Sequence, residues 1–460
     1  MGEQSTVVPE WQSGEYRVLN TADLHLGVVL NNRSLLNEQQ EFLGWLAGMC
    51  RTVKADMLAV AGDVFDTNAV AAGTQGVYYG FLARLKAEGC RSICVIAGNH
   101  DSPSFIEAPK ELLALHGIHV FDRADVEHPE EALVELYSDT GKLCGVLGAI
   151  PYLRDTHLSS PARMEEAGDG VEAQCRKRYH CYRSVARAAA VKAAGRPVLL
   201  LGHEAVQTSG KVMADGGGYV GNALTLSSEE FPSSPDLIVL GHLHRPHAVD
   251  AAGKIRYCGS PYPVSFDDLT VPKRLLLVRF LPDAPLDIIE IPVDAPHFMP
   301  LVRLEGTADE VREKFRILQE SGRRALVDAV YSAAVPDHAL QDELRAHCGS
   351  GKGAKLELLQ CRLKRPPALT AELSPAGDAV LAKAQWQEQL RKPEALFERY
   401  MTECGLKDEY EQLRPCFLEA AEIAREALAA EQAERERRQA DAQAKAKNPQ
   451  DKHREDGGEA

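Results

Sequence analysis

The stretch Met57–Asp66, MLAVAGDVFD, joins a predicted strand to a polar turn. Its first five residues are apolar, which predicts a short strand that is covered on both faces. Gly62 follows, and glycine allows the backbone to turn sharply where such a strand ends. Asp63 comes directly after this glycine, and Asp66 follows three residues later. The stretch therefore predicts an α/β sheet with carboxylates at the carboxyl end of a strand.

Strands of the same kind recur from Tyr16 to about Pro296. The candidates are Tyr16–Thr21, Met57–Ala61, Ser92–Ala97, Cys144–Ile150, Pro197–Leu201, Leu237–Leu240, Ile255–Cys258 and Arg274–Phe280. Apolar residues at helical spacing lie between several of them, at Leu35–Arg51, Gly76–Glu88 and Tyr179–Ala194. Strands that alternate with helices in this way predict an α/β domain built of stacked layers.

Five short motifs follow predicted strands, and each contains Asp, Asn or His. They are Asp23-Leu24-His25, Gly62-Asp63 with Asp66, Gly98-Asn99-His100-Asp101, Gly202-His203 and Gly241-His242-Leu243-His244. Because sites in α/β sheets form outside the carboxyl ends of the strands, we expect these side chains to converge. Oxygen and imidazole donors without thiolates suit Mn²⁺, Fe²⁺ or Zn²⁺. Two such ions, held about 3.5–4 Å apart, would bind a phosphate and generate a hydroxide nucleophile.

The composition excludes several classes of protein. Hydrophobic residues make up 45% of the 460 residues and charged residues 26%, as in ordinary globular chains. The net charge of −15 argues against a broad basic face for nucleic acid, although bound metal ions would cancel part of it. The sequence contains no run of about 18 apolar residues and no secretory signal. Its 11 scattered cysteines fit reduced thiols. We therefore expect a cytoplasmic protein with no membrane partner.

The ordered motifs resemble those of the calcineurin-like metallophosphoesterases, whose fold is a layered α-β-β-α sandwich. Four segments narrow the resemblance to the nuclease D subunits of the bacterial SbcCD type, the counterparts of the eukaryotic double-strand-break repair nucleases. These segments are Gly62–Thr67, Ala97–Ser102, Ile150–Arg154 and Ile255–Asp268. The last segment, IRYCGSPYPVSFDD, is the most specific of the four. The resemblance covers Tyr16 to Lys364 and extends more weakly to about Leu428.

This resemblance implies a definite dimetal site. One ion would be held by Asp23, His25, Asp63 and His244, and the other by Asp63, Asn99, His203 and His242. Asp63 would therefore bridge the two ions. His100 would act at the scissile phosphate, where it would stabilise developing charge or protonate the leaving oxygen. Asp66 is placed like the carboxylate that orients this histidine in related phosphatases, and Asp101 is the alternative.

The domain organisation follows from composition together with the resemblance. Residues 1–15 are predicted to be a disordered leader, and 16–296 the metallophosphoesterase domain. Residues 297–366 have a β-α-β-α-β pattern and resemble the family's small capping domain, which helps to choose the DNA that enters. Residues 367–430 are predicted to be a helical region that binds the partner, and 431–460 a charged, frayed or disordered tail.

Two surface features are candidate contacts. An apolar stripe in the helical region is predicted to contact the partner, with internal packing as the alternative; it comprises Leu396, Phe397, Tyr400 and Met401. The basic pair Arg323-Arg324 and the basic stretch Arg362–Arg365 are local candidates for DNA contact, with plain solvation as the alternative.

The function implied by the resemblance is a Mn²⁺-dependent 3′→5′ duplex exonuclease with single-strand endonuclease activity in DNA repair and recombination. It would act as a homodimer within a two-plus-two heterotetramer with an SbcC-like ATPase. The chain has no G-x-x-x-x-G-K-[ST] run, so any ATP dependence is expected to come from the partner. A stand-alone dimetal phosphatase or cyclic-nucleotide phosphodiesterase is the alternative, but it would need neither capping domain nor helical region. The complete ligand set argues against a non-catalytic scaffold.

Overall fold

The computed structural model describes residues 8–154, 171–207, 224–333, 337–349 and 354–364, together with 413–414 and 417–418. The predicted charged tail, nearly all of the predicted helical region and the apolar stripe lie outside these ranges. None of the described helices combines the length and the apolar composition needed to span a bilayer.

The described strands are numbered β1 to β19 in chain order. They are β1 (Tyr16–Thr21), β2 (Val29–Leu30), β3 (Arg33–Ser34), β4 (Met57–Ala61), β5 (Ser92–Ile96), β6 (Ile118–Phe121), β7 (Leu133–Tyr137), β8 (Leu143–Ile150), β9 (Val198–His203), β10 (Val206–Gln207), β11 (Leu226–Ser227), β12 (Leu237–Gly241), β13 (His247–Ala248), β14 (Ile255–Tyr257), β15 (Arg274–Phe280), β16 (Asp287–Pro292), β17 (Leu301–Thr307), β18 (Ala325–Ser332) and β19 (Leu356–Lys364). The described α-helices are Leu36–Thr52, Ala72–Ala87, Pro103–Glu107, Lys110–Ala114, Val171–Ala193, Ala295–Phe298, Ala308–Glu320 and His338–Ala346.

Two six-stranded sheets carry the candidate site. The first has the order β16-β15-β1-β4-β5-β6, in which β1, β4, β5 and β6 run parallel and β15 is antiparallel to β1. The second has the order β13-β14-β12-β9-β8-β7, in which β14, β12, β9 and β8 run parallel. The carboxyl ends of the parallel strands therefore share one edge in each sheet.

The two sheets pack face to face, and helices cover their outer faces. In β4, Met57, Ala59 and Ala61 pack among residues of the second sheet, including Leu199 and Val239. The alternate residues of β4, Leu58 and Val60, pack on the other side, in the cluster formed with the helices Leu36–Thr52 and Ala72–Ala87. The helix Val171–Ala193 covers the second sheet in the same way. Strands buried on both faces read as continuous apolar runs, and the predicted α-β-β-α layers are confirmed.

Sequence patterns located the central strands better than the edge strands. Tyr16–Thr21, Met57–Ala61 and Arg274–Phe280 have the predicted bounds. Three longer strands were not predicted, namely β6, β7 and β16, and each lies at the edge of a six-stranded sheet. Polar residues interrupt their apolar pattern because an edge strand is only partly covered. The helix predicted over Tyr179–Ala194 spans Val171–Ala193. Its first turns are largely polar, so the apolar spacing did not reveal them.

The predicted β-α-β-α-β pattern is present between Leu301 and Lys364. β17, β18 and β19 form a sheet in that order, here called the small sheet, and two helices connect its strands. Contacts divide the described residues into two units. The first comprises 8–154, 171–207, 224–305, 311–330, 342–349 and 354–361, and the second comprises 306–310, 331–333, 337–341, 362–364, 413–414 and 417–418. The predicted domain limits stay a prediction.

Part of the predicted disordered leader belongs to the folded domain. Glu15 is fully buried, and its carboxylate accepts hydrogen bonds from Arg17 Nε at 2.8 Å and Arg279 Nη2 at 2.8 Å. Arg17 also donates to the carbonyl oxygen of Pro9 at 2.9 Å. A buried carboxylate needs such partners, so the fold begins before Tyr16.

Candidate metal centre

The loops that carry the predicted ligands are joined to one another by backbone hydrogen bonds. The N–H of Asp23 donates to the carbonyl oxygen of Gly62 at 3.0 Å, and the N–H of His25 donates to that of Asp63 at 3.0 Å. In the other sheet, Gly241 and His203 are register partners. Asp23 Oδ1 accepts from the N–H of His242 at 2.9 Å, which connects the two sheets. The loops after β1, β4, β9 and β12 therefore meet at one place.

The structure brings all seven predicted metal ligands together, in two groups. On one side, Nε2 of His25 lies 3.1 Å from Nε2 of His244 and 3.7 Å from Oδ2 of Asp63. On the other side, Nε2 of His203 lies 3.3 Å from the same Asp63 oxygen and 3.0 Å from Oδ1 of Asn99. The remaining donors are Nδ1 of His242, 2.8 Å from Asn99 Oδ1, and the carboxylate of Asp23, grouped with His25 and His244. Asp63 stands between the two groups.

Hydrogen bonds to oxygen atoms hold the outward-facing nitrogen of three of these histidine rings. Nδ1 of His203 lies 2.7 Å from the carbonyl oxygen of Ala61, and Nδ1 of His244 lies 3.2 Å from Oδ2 of Asp268. Nδ1 of His25 lies 3.3 Å from Oδ1 of Asp66. A carbonyl or carboxylate oxygen only accepts, so these contacts favour the proton on Nδ1 and leave the Nε2 lone pair for a metal ion.

Four of the predicted ligands have left-handed backbone conformations. The φ angles are 51° at Asp23, 41° at His25, 47° at Asp63 and 96° at His242. Residues other than glycine rarely adopt positive φ, and each such residue costs about 1–3 kcal/mol. The hydrogen bonds between the loops stabilise these strained conformations. Such strain is common where side chains must be aimed at a ligand.

Gly98 makes the close approach of two ligand loops possible. A Cβ atom at this position would lie 2.1 Å from Oδ1 of Asp63 and 2.2 Å from its backbone nitrogen. Any larger residue would therefore displace the central carboxylate. Gly62 is restricted in a similar way, because its φ is 83° and a Cβ atom would lie 2.2 Å from Nδ1 of His203.

Charge in the centre favours a cation. Burial raises the pKa of Asp63, but the neighbouring His203 and His25 outweigh burial and hold that pKa below its ordinary value. Burial lowers the pKa of His203, but the Asp63 carboxylate outweighs it and raises the pKa to about 9. Oδ2 of Asp23 is buried and accepts no hydrogen bond. A buried carboxylate oxygen without a partner is costly unless a cation satisfies it, so the residues present fit a divalent metal ion.

His100 lies at the solvent side of this centre. It is exposed, whereas Asp23, His25, Asp63 and His203 are buried. One of its ring nitrogens lies within 4.8 Å of the donor atoms of His25 and Asp63. A phosphate that approaches the buried donors from solvent would therefore meet His100.

The structure corrects the predicted role of the Asp66 carboxylate. Nδ1 of His100 lies 2.7 Å from the backbone carbonyl oxygen of Asp66, and the Asp66 carboxylate faces His25 instead. The alternative, Asp101, is not the orienting group either. Its carboxylate is fully buried and accepts from the backbone N–H groups of Val64, Phe65 and Gly98. The sequence pattern placed residue 66 near His100, but it could not distinguish a contact of the side chain from a contact of the backbone.

Three residues beside the centre were not predicted as site residues. Asp268 contacts His244, and Lys273 Nζ donates to the His244 carbonyl oxygen at 3.2 Å and to Ser260 Oγ at 2.8 Å. Arg154 Nη2 donates to the carbonyl oxygen of Asn99 at 3.0 Å. Asp268 and Arg154 lie in the two segments singled out by resemblance, Ile255–Asp268 and Ile150–Arg154. Membership in these segments was the signal in the sequence that could have identified Asp268 and Arg154, but it did not indicate what either residue does.

One predicted DNA contact has a different partner. Nη2 of Arg324 donates to the fully buried carboxylate of Glu38, which also accepts from Arg33. Because Glu38 needs a cation, Arg324 is held in an ion pair within the fold.

Comparison with known proteins identifies the family. Residues 16–246 match the family of calcineurin-like phosphoesterases. Among the D subunits of bacterial SbcCD nucleases, that of Escherichia coli K12 is 31% identical over 300 residues, covering 63% of this chain and 71% of the relative. That of Bacillus subtilis is 32% identical over 271 residues, covering 58% and 66%. That of Rhodobacter capsulatus is 28% identical over 399 residues, covering 83% and 93%. The chain therefore belongs to the calcineurin-like phosphoesterases and, among them, to the family of SbcCD nuclease D subunits, which makes it a metal-dependent phosphodiesterase of the nuclease type.

Proposed function

We propose that this chain cleaves DNA with two divalent metal ions. Asp23, His25, Asp63 and His244 hold one ion, and Asp63, Asn99, His203 and His242 hold the other. The observation that carries this assignment is the position of Oδ2 of Asp63, 3.3 Å from Nε2 of His203 and 3.7 Å from Nε2 of His25. A single carboxylate between two sets of donors is the arrangement that a bridged pair of ions requires.

The chemistry divides between the ions and the protein. When bound, the two ions supply Lewis-acid polarisation of the phosphate and activation of the attacking water. The protein fixes the donors, through the strained loops and the hydrogen bonds on the outer nitrogens of His25, His203 and His244. His100 stands at the solvent side and carries a proton on Nδ1 because that atom donates to a carbonyl oxygen. Its other nitrogen can donate to the leaving oxygen when the ring is protonated.

Mn²⁺ is the ion we propose. The donors are carboxylate and amide oxygens and imidazole nitrogens, with no thiolate among the seven ligands. Three oxygen donors and four imidazoles without sulfur suit Mn²⁺, Fe²⁺ or Zn²⁺, and the resemblance to the SbcCD nucleases favours Mn²⁺ among these three.

The partner and the assembly belong to the same proposal. The relatives are subunits of a nuclease named for two components, SbcC and SbcD, which supports an SbcC-like ATPase as partner and DNA as substrate. We assign residues 297–366 to a capping domain and 367–430 to partner binding, within a two-plus-two heterotetramer. The net charge of −15 fits a division of labour in which the partner supplies many of the phosphate contacts.

A comparison of duplex degradation tests this function. The rate of 3′→5′ exonuclease on linear duplex DNA is measured for the chain alone and for its complex with an SbcC-like ATPase, each with and without ATP. Mn²⁺ and salt are held constant, because phosphate binding depends strongly on salt. We expect efficient duplex digestion only with partner and ATP, and weak cleavage of single strands and small phosphodiesters by the chain alone. Equal rates in all four reactions would instead favour a stand-alone phosphodiesterase.

A further inference from the structure

The 3₁₀ turn Phe266–Asp268 contacts the candidate metal centre through its last residue. Asp268 is buried, and its Oδ2 lies 3.2 Å from Nδ1 of His244. The same oxygen accepts from the backbone N–H of Val264 at 3.2 Å. The carboxylate is therefore fixed from its own segment and aimed at the outer nitrogen of one proposed ligand. A shift of this turn would rotate or release the His244 ring.

The first two residues of the same turn contact an arginine of the small sheet. Arg303 of β17 donates from Nη1 to Oδ1 of Asp267 at 2.8 Å. Its guanidinium carbon lies 5.6 Å from the centre of the Phe266 ring, a cation–π geometry. Arg303 thus holds the turn through both a charged side chain and an aromatic ring.

Arg303 is itself anchored within the small sheet. Its Nε donates to Oδ2 of Asp328 in β18 at 2.8 Å, and Asp328 is fully buried. Because Asp328 is fully buried, its carboxylate fixes the direction of the guanidinium. A planar guanidinium can serve two carboxylates at once, whereas the single ammonium of a lysine cannot match both positions. The contacts run without a break from β18 through Arg303 and the turn to His244.

We propose that Asp268 is a positioning residue for His244. Arg303 of the small sheet holds Asp268 in place and thereby sets the affinity for the metal ion that His244 binds. This inference rests on the proposed function, because it requires His244 to be a ligand. It assigns a role to the SFDD end of the segment IRYCGSPYPVSFDD and connects the small sheet to the chemistry. Substituting residues that hold a ligating histidine typically weakens metal affinity by about 10–100-fold.

Titration of the metal-free, full-length protein with Mn²⁺ by calorimetry tests the link. His244→Ala first identifies which of the two binding events depends on that ligand. We expect Asp268→Ala to weaken the same event by about 10–100-fold and to leave the other event unchanged. Asp268→Asn retains an oxygen that can accept from Nδ1 and should recover part of the affinity. Arg303→Ala should weaken the same event, and Arg303→Lys should recover less than the wild-type affinity.

The double variant separates a link from two independent effects. If Arg303 acts through the turn, Arg303→Ala should have little further effect once Asp268 is Ala, so the two effects should not add. Arg316→Ala is the matched control, because Arg316 lies on the connecting helix Ala308–Glu320 and pairs with exposed Glu313 and Glu320. It should leave both binding events unchanged. Thermal unfolding of each metal-free variant checks that the fold is retained. If Asp268→Ala does not fold, the selective loss of the His244-dependent event in Arg303→Ala carries the test.

Distinct outcomes would overturn the inference or the proposed function. Additive effects of Arg303→Ala and Asp268→Ala, equal losses in both binding events, or an unchanged titration for Arg303→Ala would refute the link and leave the dimetal assignment intact. A wild-type protein that binds no Mn²⁺, or whose titration is unaffected by His244→Ala, would overturn the proposed ligand set instead.

Discussion

Nδ1 of His100 lies 2.7 Å from the backbone carbonyl oxygen of Asp66. A carbonyl oxygen can only accept, so Nδ1 carries the proton and the ring presents Nε2 to whatever approaches from solvent. The backbone therefore fixes the tautomer and direction of this exposed histidine, and no side-chain substitution at residue 66 removes the acceptor.

His100→Ala should separate catalysis from metal binding. Because His100 is proposed to act at the leaving oxygen rather than as a ligand, the variant should keep two Mn²⁺ ions and its affinity for DNA. Its cleavage rate should fall by at least about 10²-fold, the usual contribution of a general acid. Metal analysis and single-turnover cleavage measure the two properties. Loss of one ion in this variant would make His100 a ligand and would contradict the proposed role.

Asp66→Ala should affect metal binding more than the chemical step. The Asp66 carboxylate is 3.3 Å from Nδ1 of His25, whereas His100 contacts only the backbone of residue 66. We expect about a 10–100-fold weaker affinity for one ion, with the maximal rate largely restored at saturating Mn²⁺. The dependence of cleavage rate on Mn²⁺ concentration measures both quantities. An unchanged metal affinity with a reduced maximal rate would favour the role in orienting His100 that was predicted from sequence.

Asp63→Ala should abolish both metal sites together. Its carboxylate lies between His25 and His203, so its removal takes a donor from each ion and leaves both sets incomplete. We expect no measurable hydrolysis of bis-p-nitrophenyl phosphate and a reduced metal content at both positions. Asp283→Ala is the control, because this carboxylate is exposed and pairs with Arg196 at the surface. Two ions still bound to Asp63→Ala would refute the bridging assignment.

Gly98→Ala tests the close packing of the ligand loops. The new Cβ would lie 2.1 Å from Oδ1 of Asp63, so the loop must move away from the centre. We expect metal affinity to fall by at least about 10-fold and stability by about 1–3 kcal/mol, as for other overpacked sites. Gly80→Ala is the matched control, because a Cβ there meets nothing within 4 Å and the residue lies within the helix Ala72–Ala87. That variant should be slightly more stable, by about 0.5–1 kcal/mol. Wild-type metal affinity in Gly98→Ala would contradict the packing argument.

Glu15→Ala tests whether the start of the described chain belongs to the fold. The substitution leaves Arg17 and Arg279 buried without their shared carboxylate, which typically costs about 3–5 kcal/mol. Urea unfolding measures this loss. Glu10→Ala, at an exposed position in the same segment, should change stability by less than about 0.5 kcal/mol. Equal stability of the two variants would show that residues 8–15 do not contribute to the fold, as the prediction of a disordered leader requires.

Sequence patterns predicted the central strands of this fold well because both faces of each strand are buried. A strand such as Met57–Ala61 faces the second sheet on one side and helices on the other, so every residue must be apolar and the strand is easy to recognise. The edge strand Asp287–Pro292 is only partly covered, and its mixed pattern is ambiguous. Because each central strand is a clear apolar run, the point where it ends is also clear. The polar residues that follow it could therefore be recognised as a candidate site.

The order of residues along the chain was enough to predict which residue types form the centre and which strands they follow. The atom of each residue that acts on a given neighbour became clear only from the folded structure. Asp66 illustrates the difference, since its side chain faces His25 while its carbonyl oxygen holds His100. Asp268 and Arg303 illustrate it further, because their contacts connect residues distant along the chain. Hydrogen bonds depend on atomic positions within a few tenths of an ångström, and spacing along a sequence does not specify positions that are set by the packing of separate strands and loops.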